Sequence, residues 1–170
     1  GMTFDGYVLV NGGHCLTAEG EVLAERPIPG EILDRMVRVG RREGFPVAML
    51  TDEGMIASGV NDGMRAFLEA LGMSTDPAVA DLREAARRTP CRQLCVFMSP
   101  EQEERIMREF PECMSSRWSP LMADVNMRGV TKASGMDVFL SHYGIDRSRS
   151  MAFGDGGNDV EMIRHAAVGV

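Results

Sequence analysis

The chain lacks several features that would direct it to particular roles. No apolar run approaches the roughly 20 residues that a membrane-spanning helix needs. The segment Gly1-Met2-Thr3-Phe4-Asp5 has neither the basic leader nor the long apolar stretch of a secretory signal. These absences set the expectation of a cytoplasmic location and no membrane partner; Gly1-Met2 itself reads either as a tag scar or as internal sequence. Nor is there an excess of positive charge: 18 lysines and arginines face 25 aspartates and glutamates, a formal net charge of −7. That balance argues against nucleic acid or an anionic membrane surface as the main partner, because both select clustered lysine and arginine. An anionic ligand would then need local help from a metal, a lysine or a helix N-terminus. The four cysteines, Cys15, Cys91, Cys95 and Cys113, include no CxxC pair and read as reduced, buried thiols. Cys91 and Cys95, evenly spaced in a β-prone run, are expected on one face of a strand. Low-complexity runs and internal repeats are also missing.

What is present is the composition of a folded protein. The 170 residues are 44% hydrophobic and 25% charged, enough for one ordinary core or for one small domain plus part of another. The 14 methionines fall mostly at apolar positions of periodic segments, such as Met36, Met49, Met107 and Met162, and read as flexible core filler.

Tyr7-Val8-Leu9-Val10 is a short β-prone run ended by the turn signal Asn11-Gly12-Gly13. Cys15–Thr17 and Val22–Ala24, separated by Glu19-Gly20, read as a hairpin closed by Pro27 and Pro29. Helical spacing of Ile32, Leu33, Met36, Val37 and Val39 predicts a helix over 30–43, with Gly44 as its stop. Strands follow at 45–50 and 55–57. Asn61 or Asp62 can cap a helix running to about Leu71. The stretch 74–90 opens with Ser-Thr-Asp-Pro and is expected to turn helical through Val79, Leu82 and Ala86. Residues 93–98 form another strand, and Ser99-Pro100-Glu101-Gln102 starts a helix with a capping serine and a proline at its first position. Met114–Trp118 and Leu121–Asn126 read as a strand pair. This alternation with hairpins describes an α+β arrangement, with helices covering an antiparallel sheet. After Arg128-Gly129 the rhythm becomes helix (133–143), strand (151–153), glycine-rich loop, helix (160–167) and strand (168–170), as in a parallel doubly wound sheet.

The sharpest chemical signal is Gly154-Asp155-Gly156-Gly157-Asn158-Asp159, between a strand and a helix. Glycines allow a tight turn and close approach of a ligand, and the carboxyl ends of parallel strands are where open α/β sheets place their sites. Two carboxylates and an amide suit a hard cation such as Mg²⁺, and a following helix N-terminus favours phosphate. The same residues also fit a plain glycine-rich loop with Asn158 or Asp159 as a helix cap. An EF-hand is disfavoured, because Gly157 and Ala166 stand at the third and twelfth positions counted from Asp155. The second signal is Lys132, in Gly129-Val130-Thr131-Lys132-Ala133-Ser134-Gly135. A lone lysine is ordinarily a solvated surface charge and Thr131 an ordinary N-cap. Its standing one helix and one strand before the acidic loop gives Lys132 its interest.

Those two segments resemble motifs of the haloacid dehalogenase (HAD) superfamily, in particular Cof-type sugar-phosphate phosphatases with a C2-type cap. Lys132 matches the family's third motif and Gly154–Asp159 its fourth. Residues 5–29 resemble the lead into the cap, and residues 121–132, with Ala123-Asp124-Val125 before Gly129-Val130-Thr131-Lys132, resemble its exit. The resemblance implies an α/β fold, with an α+β cap joined to a truncated Rossmann-like parallel-sheet core. Its expected parts are a core strand and linker over 1–12, a substrate-selecting cap over 13–126 and the C-terminal part of the core over 127–170. Strand 7–11 is expected to share a parallel sheet with the 129–170 segment.

The resemblance also implies a Mg²⁺-dependent phosphatase acting on phosphorylated sugars or similar small metabolites through an aspartyl-phosphate. Lys132 would be catalytic and touch the substrate phosphate, Asn158 would bind phosphate or its water, and Asp155 and Asp159 would serve the metal. Asn11 and His14 are further candidate substrate contacts, with the Asp52-Glu53-Gly54 loop as another on the cap. His142, His165 and Trp118 read as structural. The family's first motif, an Asp-x-Asp-Gly-Thr loop carrying the nucleophile, does not occur; Asp5-Gly6-Tyr7 is not that motif. The chain therefore reads as a fragment, expected to be inactive by itself and to self-associate through exposed strand edges. The alternative is a catalytically inactive cap-bearing module that binds a phosphorylated ligand or partner. The phosphorylation domain of a cation pump, which has a similar loop, fits poorly, since Val160-Glu161-Met162 replaces the Ala-Pro usual there.

Overall fold

A computed structural model describes residues 3–73 and 76–170. In chain order its elements are β1 (Gly6–Leu9), a single 3-10 turn at Val10–Gly12, β2 (His14–Thr17), β3 (Val22–Glu25), α1 (Gly30–Glu43), β4 (Val47–Thr51), β5 (Gly54–Ala57), α2 (Asp62–Ala70), β6 (Ala78–Val79), α3 (Leu82–Ala85), β7 (Gln93–Val96), α4 (Pro100–Ile106), β8 (Cys113–Ser119), β9 (Met122–Met127), α5 (Lys132–His142), β10 (Met151–Ala152), α6 (Val160–His165) and β11 (Val168–Gly169). Further 3-10 turns lie at Met107–Glu109, Arg147–Arg149 and Gly157–Asp159. The chain divides into two compact units, Pro27–Arg128 and the combination of Gly1–Arg26 with Gly129–Val170.

In the Pro27–Arg128 unit a six-stranded sheet runs in the order β6-β5-β4-β7-β9-β8. Every pairing is antiparallel except β5 with β6. Period-two alternation divides its side chains between two cores. Val47, Met49, Leu94, Val96, Ala123 and Val125 meet Leu33, Met36 and Val39 of α1 together with Leu82, Ile106 and Phe110. Ala48, Ala57 and Cys95 on the opposite face meet Met64, Phe67 and Leu68 of α2. The helix ends follow their sequence signals. Gly44 terminates α1 in the left-handed region at φ 79°, Asn61 caps α2 by accepting from the Met64 N–H, and Ser99 with Gln102 forms a reciprocal capping box on α4.

Three expectations for this unit need correction. The stretch expected to be helical through Val79 and Ala86 is instead a two-residue strand, β6, and the four-residue α3. Asp81 caps α3 by accepting from the N–H groups of Arg83 and Glu84, which fixes the helix start beyond Val79; Ser74-Thr75 lies outside the described residues. Cys91 and Cys95 do not share a face, since Cys91 belongs to the α1 core and Cys95 to the α2 core. Strand β7 begins only at Gln93, and Cys91 forms an isolated bridge with Ile28 instead. The boundary expected at residues 11–13 falls after Arg26.

The hairpin belongs to the other unit because β1-β2-β3 is one antiparallel sheet there. β1 pairs with β2, not with the parallel strands β10 and β11, which pair with each other over two residues each. The expected parallel pairing of residues 7–11 with the C-terminal segment is therefore wrong: a strand followed within one turn by a complementary strand closes the local hairpin first. The unit is knit together by α5, which lies against this sheet through three close approaches where a Cβ does not fit. One at Gly6 would overlap the Phe139 ring, one at Gly12 the Thr131 carbonyl, and one at Gly135 the Val8 side chain. Arg26 N–H donates to the Gly13 carbonyl at 2.8 Å, and the Tyr143 hydroxyl donates to the Asp5 carbonyl at 3.0 Å. Among the described residues all four cysteines are free and buried, and no helix is long and apolar enough to cross a membrane.

The glycine contacts give a stability prediction. Gly12 has φ +95° and its missing Cβ leaves room for Thr131. Gly12→Ala should therefore lose about 2–4 kcal/mol from combined strain and overpacking. Gly30→Ala, at a position with open space and ordinary φ, should stay within about 0.5 kcal/mol of the parent. Urea unfolding of both variants checks this; equal midpoints would show that α5 does not depend on the Gly12 approach.

Candidate active site

Helix α5 starts at Lys132 because Thr131 caps it. The Thr131 hydroxyl accepts from Ser134 N–H at 3.1 Å and the Ser134 hydroxyl accepts from Thr131 N–H at 3.0 Å, a capping box written in the sequence as Thr-x-x-Ser. The lysine is thus set at the first helical position, its side chain 29% exposed. Its Nζ forms a short, hydrogen-bonded ion pair with Oδ1 of Asp159.

Asp159 is buried, and its other carboxylate oxygen accepts the Gly156 N–H at 3.0 Å. The loop closes on this carboxylate because its glycines leave room. A Cβ on Gly154 would overlap Asp159, and one on Gly156 would come within 2.8 Å of Asn158 Oδ1. Burial opposes ionisation of Asp159, but the hydrogen bonds from Lys132 and Gly156 and the lysine charge outweigh it, and the carboxyl sits below its usual pKa.

Asn158 turns the other way, its Nδ2 donating to Asn11 Oδ1 at 3.2 Å. Asp155, between the two glycines, is exposed. Lys132, Asn158, Asp159 and Asn11, chosen from separate stretches of sequence, are thus brought together within one compact unit, with Asp155 on the same loop. The sequence carried no sign that Asn11 and Asn158, 147 residues apart, hydrogen-bond to each other. It also gave none that Val10 and Asn11 both adopt positive φ, 45° and 57°.

The other residues singled out in the sequence have partners of their own. His14 is buried in β2, in register with Leu9 and Glu25. Asp52, at the β4–β5 turn, accepts both Nε and Nη2 of Arg92 at 2.9 Å. His165 pairs with Asp137 at 2.6 Å. Trp118 sets its edge on Phe67 and donates its indole N–H to Asp124 at 3.0 Å.

The loop supplies the oxygen donors that a hard cation takes, but unequally. Both oxygens of Asp159 are already engaged. Asp155 is the exposed carboxylate, which fits a cation that keeps most of its waters. Among the described residues no group of three or more histidine, cysteine or acidic side chains forms a closed metal site.

This lysine-and-loop arrangement is accompanied by a family match over the whole length. Residues 1–170 fit the family model for haloacid dehalogenase-like hydrolases, and the chain belongs to that family. It is 31% identical over 160 residues to YkrA of Bacillus subtilis (strain 168), which covers 93% of this chain and 60% of that protein. Among solved structures it superposes on BT1666 from Bacteroides thetaiotaomicron, a HAD-superfamily phosphatase, with a TM-score of 0.92 and 32% identity over 98% of this chain and 62% of that one. BT4131, a HAD subclass IIB sugar phosphatase, matches with a TM-score of 0.86 and 32% identity, over 96% of this chain and 62% of that one. The chain thus spans about three-fifths of the length of these relatives.

The lowered pKa of Asp159 fixes how the pair responds to pH. Its folded value lies below the unfolded one, so its contribution is present above the unfolded aspartate value of about 3.9 and is lost as the pH falls through the folded value. Asp159→Asn should then destabilise the protein by about 1–3 kcal/mol at pH 7, with the gap to the parent narrowing as the pH is lowered below 4. Unfolding midpoints compared from pH 7 to pH 3 measure this; a gap that stays constant or widens in acid would contradict the assignment.

Proposed function

We propose that the cluster is the charge-stabilising part of a Mg²⁺-dependent phosphatase active site, acting on phosphorylated sugars or similar small metabolites. The observation that carries the reading is the convergence of Lys132 and the Asp155–Asp159 loop, two segments 27 residues apart for the Lys132–Asp159 contact, at the start of one helix. The sugar phosphatase BT4131, similar along 96% of this chain, supports the substrate class.

In this reading Lys132 faces the phosphate and offsets the negative charge that concentrates on it as the ester bond breaks. Asp159 holds that ammonium in place. With one hydrogen bond on each of its oxygens, it would serve the metal chiefly by orienting what surrounds it. Asp155 is the carboxylate that would hold the metal. Mg²⁺, when bound, supplies positive charge to the phosphoryl oxygens. Asn158 donates an amide N–H to a phosphate oxygen or its water. The Pro27–Arg128 unit is the part that selects substrate, by analogy with the caps of this family. The 170 residues contain no Asp-x-Asp-Gly-Thr segment, so the attacking carboxylate is not among them. Charge stabilisation without an in-line nucleophile leaves phosphoryl transfer far below enzymatic rates.

An assay of the purified 170-residue chain against a panel of hexose phosphates with excess Mg²⁺ should show no turnover. A protein in which an Asp-x-Asp-Gly-Thr segment precedes these residues should hydrolyse at least one of them. Lys132→Ala in that longer protein should lower kcat by about 10²–10³. Full activity of the short chain, or an unchanged kcat in Lys132→Ala, would defeat the reading.

A further inference from the structure

We infer that Asn11 is a positioning residue, which orients the side-chain amide of Asn158 from a strained turn; the inference rests on the phosphatase reading only for what that amide then contacts. Three observations converge on it. First, Asn11 Oδ1 accepts the Asn158 Nδ2–H at 3.2 Å. With the acceptor on that side, the Asn158 amide nitrogen lies toward Asn11 and its second N–H remains to be donated elsewhere. The amide oxygen lies on the Gly156 side, where a Cβ would approach it to 2.8 Å. The hydrogen bond to Asn11 thus holds one end of the amide, and the absent Cβ at Gly156 leaves room for the other.

Second, the backbone that presents Asn11 is strained beyond what a hairpin turn requires. Asparagine tolerates its φ of 57° well, but Val10 stands beside it at φ 45°, a region that a β-branched residue rarely enters. Such outliers persist only where the surroundings over-determine them, and they concentrate at functional sites. Here the surroundings are the Gly13 N–H bond to the Val10 carbonyl at 3.1 Å, the Arg26 N–H bond to the Gly13 carbonyl, and Gly12 seated on the Thr131 carbonyl.

Third, Thr131 is the cap of the helix that carries Lys132. The turn that fixes Asn158 and the helix start that fixes Lys132 are therefore one packed unit. The two groups assigned to phosphate are held at a set separation by Gly12.

The test uses the 170-residue chain and inorganic phosphate with Mg²⁺ as probe. Asn11→Gly permits the left-handed backbone while removing the acceptor; Asn11→Asp restores an acceptor. The side-chain amide protons of Asn158, observed by ¹⁵N-resolved NMR, should be dispersed in the parent, collapse towards solvent-exposed positions in Asn11→Gly and return in Asn11→Asp. The affinity for phosphate should fall about tenfold in Asn11→Gly. Asn158 amide protons that do not move in Asn11→Gly would overturn the inference whatever happens to phosphate. If they move as expected but phosphate binding is unaffected in both Asn11→Gly and Asn158→Ala, the coupling stands in the free protein and the phosphate reading of Asn158 falls, and with it the functional half of the inference.

Discussion

The contact between Lys132 and Asp159 is the constraint on which the site depends. It joins the first residue of a helix to the last residue of a glycine-rich loop, and it is the reason a carboxylate can be buried there and stay ionised. A buried aspartate without a cation would protonate or open the loop. With the lysine on one oxygen and the Gly156 N–H on the other, each oxygen has a partner, and the loop is held in a shape that leaves the neighbouring Asp155 exposed. The pair therefore divides the two carboxylates of the motif by environment. One is buried and paired, and the other is exposed.

That arrangement needs the start of α5 to be fixed to better than the length of a side chain, and glycine makes this possible. Gly6, Gly12 and Gly135 bring the β1–β2 hairpin and the helix together at backbone distance, and the Thr131–Ser134 capping box sets which residue is first in the helix. Gly154 and Gly156 do the same on the loop side, where added side chains would collide with Asp159 and Asn158. The Pro27–Arg128 unit solves a separate problem, with its own sheet and two hydrophobic cores, as expected of a domain that folds around an independent core.

Much of this was legible in the sequence wherever the determinants are local. The ends of α1, α2 and α4 follow from Gly44, Asn61 and Ser99, whose backbone or side-chain chemistry acts within one turn. The chemistry of Lys132 and of the Asp155–Asp159 loop was readable because the residue types cluster within a few positions and match a family pattern. What escaped is long-range. The hairpin's membership of the C-terminal unit rests on packing against residues 131–143, which no local periodicity encodes. The expected partner of strand 7–11 differs from the observed one because pattern reveals a strand but not its partner. The faces of Cys91 and Cys95 were misjudged because even spacing implies a shared face only inside a continuous strand, and β7 begins between them. Val79 and Leu82 look helical in sequence, yet Asp81 between them caps a new helix and ends the extended segment.

The most direct test of the central constraint is a double-mutant cycle on stability, with Lys132→Met, Asp159→Asn and the pair combined, measured by urea unfolding at pH 7. If the two side chains hold helix and loop together, the single variants should be non-additive, with a coupling energy of about 1–3 kcal/mol. Additivity within about 0.3 kcal/mol would mean that the lysine and the aspartate act independently, and that the site is not organised around their contact.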